Sequence, residues 1–145
     1  MNVLMVKPKK AAYEAEIGNS LDEMQGIVGG LIQAVYPYDE PVALVCNEEG
    51  KLDGLPLNRA LCDENGEVYD IIAGTFFICG LSDHNFDSLP PELMERFKKE
   101  FHDPQMFQKI NGKILTVRVT EEYITTQDRL QNWNERDKGV KDHER

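Results

Sequence analysis

Lys51 and Arg59 are the only basic residues between Ala11 and Glu95, a stretch that holds seventeen acidic ones. Both fall in one segment, Cys46-Asn47-Glu48-Glu49-Gly50-Lys51-Leu52-Asp53-Gly54-Leu55-Pro56-Leu57-Asn58-Arg59. A cation in an acidic field either neutralises its neighbours or awaits an anionic partner. The guanidinium of Arg59 offers a planar fork that can grip a carboxylate or phosphate through two parallel N–H donors. Lys51 adds a point charge, and the amides of Asn47 and Asn58 can read a ligand's edge. With Glu48 and Glu49 these make a candidate ligand- or partner-binding set: Asn47, Glu48, Glu49, Lys51, Asn58 and Arg59. The same residues support a local reading, in which Asn47 closes an Asx-type turn, Glu48 or Glu49 pairs with Lys51, and Arg59 neutralises nearby acids. The sequence leaves both open.

Other chemistry has less to stand on. Asp39-Glu40, Glu48-Glu49 and Asp63-Glu64 are adjacent carboxylate pairs. Neighbours on a strand point to opposite faces, so adjacency does not converge two acids on one bond, and solvated turns are the simpler reading. A hydrolase using Glu48 or Glu49 is the weakest functional alternative, because no partner residue is recognisable. His84, His102 and His143 are far apart and lack metal-ligand spacing, and Cys46 and Cys79 sit in apolar runs where Cys packs as a small hydrophobe. No metal or other cofactor is expected. Neither a P-loop nor GxSxG is present, and Gly26-Ile27-Val28-Gly29-Gly30 lies inside a helical pattern rather than between a strand and a helix.

The elements that must position these residues follow from periodicity. Asn2–Val6 and Ala12–Ile17 read as an opening hairpin around Pro8 and Lys9-Lys10. Ser20-Leu21-Asp22-Glu23 is a capping box, and Leu21, Met24, Val28, Leu31, Ile32 and Val35 follow at helical spacing, so the pattern predicts a helix to about Val35. Three glycines (26, 29 and 30) weaken that helix and point to close approach by a sheet or another helix. Val42–Cys46 reads as a buried strand, Lys51–Leu61 as an irregular return, and Val68–Cys79 as one long strand with Gly74 a bulge or close approach. Leu93, Met94, Phe97 and Phe101 form an amphipathic second helix stopped at Asp103-Pro104, and Lys113–Val119 is a late strand. From Gln127 the chain is polar, with Leu130 and Trp133 as its large apolar anchors.

This order implies an α+β fold in which a small mixed sheet packs on one main helix, in the manner of a β-grasp, with a second, C-terminal helix. Leu21, Met24, Val28, Leu31 and Ile32 should then be buried against Val42, Leu44, Ile72, Phe76 and Ile78. Residues 1–120 are expected as a single domain and 121–145 as a polar appendage. A hydrophobic fraction of 41% and a charged fraction of 29% suit a soluble globular chain. The N-terminus lacks the long apolar core of a signal peptide. An odd three cysteines without CxxC fit a reducing cytoplasm. A net charge of −10 disfavours nucleic acid and anionic membranes as partners and suits a protein with a basic surface.

Four stretches together, Gly26–Ile32, Cys46–Leu52, Gly54–Arg59 and Asp70–Ile78, resemble a family of small bacterial and phage proteins labelled domain of unknown function 3846. The resemblance covers roughly residues 1–110. It implies cargo of phages, plasmids and conjugative elements, and brings no activity, ligand or catalytic residue with it. The expected function is that of a small acidic cytoplasmic binding or regulatory protein, accessory to a phage or other mobile genetic element. The alternative is a binder of a small anionic metabolite or nucleotide at Lys51 and Arg59.

Overall fold

Ten strands and three helices alternate irregularly along the part of the chain that the computed structural model describes, residues 1–143 for the backbone and 1–133 for the side chains. In chain order they are β1 (Asn2–Val6), β2 (Tyr13–Glu16), α1 (Leu21–Val28), β3 (Ile32–Val35), β4 (Val42–Asn47), β5 (Leu57–Cys62), β6 (Val68–Ala73), β7 (Phe76–Ser82), β8 (Asn85–Asp87), α2 (Pro91–Glu100), β9 (Gln105–Ile110), β10 (Lys113–Arg118) and α3 (Glu121–His143). The main sheet runs β2-β1-β7-β4-β3, with β8 pairing β7 beyond the end of β1. β5–β6 and β9–β10 are separate two-stranded sheets.

Successive strand residues face opposite sides, and here both sides are covered. Val3 and Met5 of β1, Ala43 and Val45 of β4, and Phe77 and Cys79 of β7 enter one layer, closed by Met24 and Val28 of α1. Leu4 and Val6, Val42, Leu44 and Cys46, and Phe76 and Ile78 enter the other. That second layer is closed by Met94 and Phe97 of α2, by Phe101, and by Leu61 and Ile72 of the β5–β6 hairpin. A sheet buried on both faces explains why β4 and β7 read as continuous apolar runs rather than alternating ones.

The α+β class is as the sequence implied, but the mixed, β-grasp-like sheet is corrected. Every recorded strand pair is antiparallel. A parallel pair needs a long crossover between neighbouring strands. Here the chain between β4 and β7 forms its own hairpin, β5–β6, and returns running opposite to β4.

The long first helix is also corrected. Ser20 caps α1, its Oγ accepting from Glu23 N at 3.2 Å, as the capping box implied. The helix stops at Val28 because Gly29 takes the left-handed conformation (φ 79°) and donates its N–H back to Gln25 O at 2.8 Å. Ile32–Val35, β-branched at both ends, continues as a strand. Leu21 and Leu31, expected in the core, are 54% and 62% exposed. Met24 and Val28 pack on Ala43, Val45, Phe77 and Cys79, while the expected partners Val42, Leu44, Ile72, Phe76 and Ile78 are buried in the layer on the other face of the sheet. Leu31→Ala should therefore shift unfolding free energy by no more than about 0.5 kcal/mol in urea melts, not by the several kcal/mol of a core truncation.

The single Val68–Cys79 strand is two, β6 and β7, divided where Gly74 adopts φ 83°. The irregular return contains a regular strand, β5, and β9 completes a hairpin with the expected late strand. Leu130 and Trp133 of α3 are 53% and 66% exposed, and Leu130 lines an open cleft with Pro56, Leu57 and Met106.

Candidate functional site

The six candidate residues separate into two groups. Glu48, Glu49 and Lys51 occupy the exposed turn after β4, whereas Asn47, Asn58 and Arg59 are buried. Asn47 donates through Nδ2 to Val28 O at 3.1 Å, satisfying a carbonyl at the end of α1, and its Oδ1 accepts from Glu49 N at 2.8 Å. This is the Asx-type turn of the local reading. It also gives Gly30 its reason, since a Cβ there would lie 2.8 Å from the Asn47 amide nitrogen. Lys51 pairs with Asp70 of β6 rather than with Glu48 or Glu49.

A register shift between Leu57 and Arg59 makes a bulge at Asn58 in the β5–β6 ladder. Asn58 is fully buried, and its Nδ2 donates to Val6 O at 2.9 Å and Gly74 O at 2.8 Å. Arg59 is 1% exposed. Its Nε–H donates to Phe101 O at 3.3 Å. Nη1 donates to Asn58 O at 3.3 Å and Asn58 Oδ1 at 2.9 Å, and Nη2 to Lys10 O at 2.7 Å and Phe101 O at 3.0 Å. A guanidinium has five N–H donors, so none is left for a ligand.

Arg59 therefore turns its whole fork inward, onto backbone carbonyls and Asn58, rather than to the surface. Its charge is held by carbonyl dipoles, chiefly the carbonyl of Phe101 that caps the C-terminus of α2, where the helix dipole is negative. Burial lowers its pKa to about 10; Asp103 opposes the shift and Arg118 adds to it. The group remains a cation at neutral pH. Arg59 ties the β1–β2 connection, the β5 bulge and the end of α2 into one point. With Lys51 paired and Arg59 enclosed, the segment does not present a joint cationic site.

The structure does assemble a different surface, from residues that the sequence placed in separate turns. Asp39 and Glu40, between β3 and β4, and Asp63 and Glu64, between β5 and β6, line one open cleft of about 700 Å³ with Tyr38 and Tyr69. Arg96 of α2 reaches in and binds Glu40, a hydrogen bond that holds the Glu40 carboxyl below its ordinary range. Asp63 Oδ1 accepts from Asn65 N and Glu67 N, each at 2.9 Å, which fixes the turn that carries it. The Tyr38 ring lies 4.6 Å from the Phe97 ring. Burial, then Glu100 and Tyr69, push its hydroxyl well above the usual tyrosine value. Tyr69 is raised by desolvation and then by Asp70. Both phenols therefore stay neutral beside the carboxylates. Two acidic pairs with aromatic faces between them suit a cation, which ion-pairs with the carboxylates and rests on a ring.

Among the described residues, no group of three or more His, Cys, Asp or Glu is placed to hold a metal ion, and no helix is long and apolar enough to cross a membrane. Residues 1–102 match the protein family described as Domain of unknown function (DUF3846). No curated protein and no solved structure matches the chain.

Proposed function

The chain belongs to the DUF3846 family, and we propose that it acts by binding, its acidic cleft receiving a Lys- or Arg-bearing segment of a protein partner. The observation that carries this reading is the convergence of Asp39-Glu40 and Asp63-Glu64 on one cleft beside Tyr69. The acidic balance of residues 11–95 extends the attraction beyond contact range and speeds encounter with a basic surface. We place this binding in accessory or regulatory work for a phage or other mobile genetic element; that setting draws on the family resemblance. The alternative, capture of a small anion by Lys51 and Arg59, loses its support because Arg59 is enclosed.

The test uses a fluorescent Lys/Arg-rich peptide and the triple variant Asp39→Asn, Asp63→Asn, Glu64→Gln. An amide at position 63 keeps the acceptor that fixes the turn. At low salt the variant should bind the peptide about tenfold more weakly, each exposed pair contributing about 0.2–1 kcal/mol. Added salt should erase much of the difference. Equal anisotropy titrations for the two proteins at low salt would refute the site.

A further inference from the structure

The two edges of the main sheet are built differently. β2 carries Glu14 and Glu16, and Glu14 pairs with Lys98 at 3.2 Å. Charged side chains of this kind discourage another strand from adding to an edge. β3, the opposite edge, has no such protection: Leu31-Ile32-Gln33-Ala34-Val35-Tyr36 contains neither a charged residue nor a proline. Leu31 is 62% and Tyr36 60% exposed, in a chain whose net charge is −10. An uncharged, β-prone edge of this length is a template for strand addition.

We propose that β3 pairs with β3 of a second copy of the chain, antiparallel about a two-fold axis at Ala34, joining two main sheets into one continuous sheet. Two constraints narrow the register. Leu31 O accepts from Glu48 N at 2.8 Å, and β3 pairs with β4 in that same register. Backbone hydrogen bonding alternates along an antiparallel strand. Leu31, Gln33 and Val35 therefore turn their backbone polar groups toward β4, and Ile32, Ala34 and Tyr36 turn theirs to the open edge. A two-fold normal to the sheet also keeps the α1 layers of both copies on one side, so residues that meet must share a face. Both constraints require positions of like parity to meet; of the registers they allow, Ala34 opposite Ala34, with Ile32 opposite Tyr36, is the one that pairs the three outward-facing residues of the segment wholly among themselves. The Ala34 pair then exchanges both its N–H···O bonds, as does each Ile32–Tyr36 pair. Pro37 comes to lie opposite Leu31, a position whose backbone faces β4, so its missing N–H is not needed at the interface.

A second copy suits this edge because the sequence is self-complementary in that register: apolar meets apolar in the Ala34 and Ile32–Tyr36 pairs, and no charge is buried. The acidic groups beyond its ends, Asp39, Glu40, Glu48 and Glu49, repel across the axis. Salt should therefore strengthen this association, the opposite of its effect on peptide binding at the acidic cleft, so failure of either proposal is distinguishable from failure of the other.

The experiment is disulfide trapping in full-length protein carrying Cys62→Ser, which removes the exposed thiol and leaves Cys46 and Cys79 buried. Residues exchanging both hydrogen bonds in an antiparallel pair have Cα atoms about 5.5 Å apart, within disulfide range. Ala34→Cys should cross-link to a covalent dimer on mild oxidation, increasingly so with salt. Gln33→Cys, exposed on the same strand but not on the axis, should not. Sedimentation equilibrium should show Ala34→Pro, which removes the axial donor, associating about tenfold more weakly than the parent, with unchanged circular dichroism. Cross-linking of Gln33→Cys as readily as Ala34→Cys would overturn the register. A chain that stays monomeric at high salt and concentration would overturn the dimer and leave the edge to some other extended partner.

Discussion

Arg59→Met should destabilise the protein by about 3 kcal/mol or more in urea melts. The thioether fills part of the space, but the carbonyls of Lys10, Asn58 and Phe101 lose their donors, and each buried acceptor left unmet costs about 1–3 kcal/mol. Relief from burying a charge offsets only part of that. Arg59→Lys should fall between the two proteins, since one ammonium cannot reach carbonyls spread around a planar fork. The pH profile separates the variants. Burial depresses Arg59 from its ordinary value to about 10, so above about pH 10 the unfolded chain binds more protons than the folded one, and stability rises with pH only there. Through the neutral range its contribution is flat. A lysine buried in its place would have its own pKa depressed below about 10.4, moving the rising limb down toward neutral pH. Wild-type-like melts for Arg59→Met would show that the carbonyl cluster does not support the fold.

The sequence singled out Arg59 because it is rare, and rarity was a sound clue to importance but not to kind. A lone cation among acids reads as a site when only charges are counted. What decides its role is a bulge at Asn58 that turns two successive polar side chains inward, and no propensity or spacing announces a bulge. Asn47 was more legible, since an Asx-type turn is a local event and its reading survived intact. The helix boundary was lost for a related reason: apolar residues at 28, 31, 32 and 35 satisfy helical spacing, and only the Gly29-Gly30 pair favours a stop over continuation. The apolar run located β4, because the sheet is covered on both faces. The acidic cleft was invisible because its two pairs lie on separate connections brought together by tertiary structure.

Phe76→Ala and Phe77→Ala should each cost about 3–5 kcal/mol, through different layers of the molecule. Both side chains are fully buried on the central strand β7, pointing to opposite faces of the sheet. Phe76 makes an edge-on contact with Phe101 at 5.8 Å, so its loss opens the α2 layer, while Phe77 supports the α1 layer. The two cavities share no lining cluster, so the costs should add. Their sum approaches the whole stability of a domain this size, and the double variant should be unfolded at about 25 °C by circular dichroism. A double variant scarcely less stable than either single would mean that one layer, not two, holds the sheet.

The place of β7 at the centre of the sheet, between β1 and β4, also bears on how the chain is made. Synthesis delivers the β1–β2 hairpin first and the β3–β4 hairpin next, and neither is a neighbour of the other. Until residues 76–82 have left the ribosome, each hairpin carries an open inner edge and apolar side chains with nothing opposite them. One late segment then pairs with both at once, closing a loop of about seventy residues back to β1 and one of about thirty back to β4. Contacts so distant along the chain form slowly. The nascent protein therefore passes through a period with the inner edges of β1 and β4 uncovered and open to pairing with other chains.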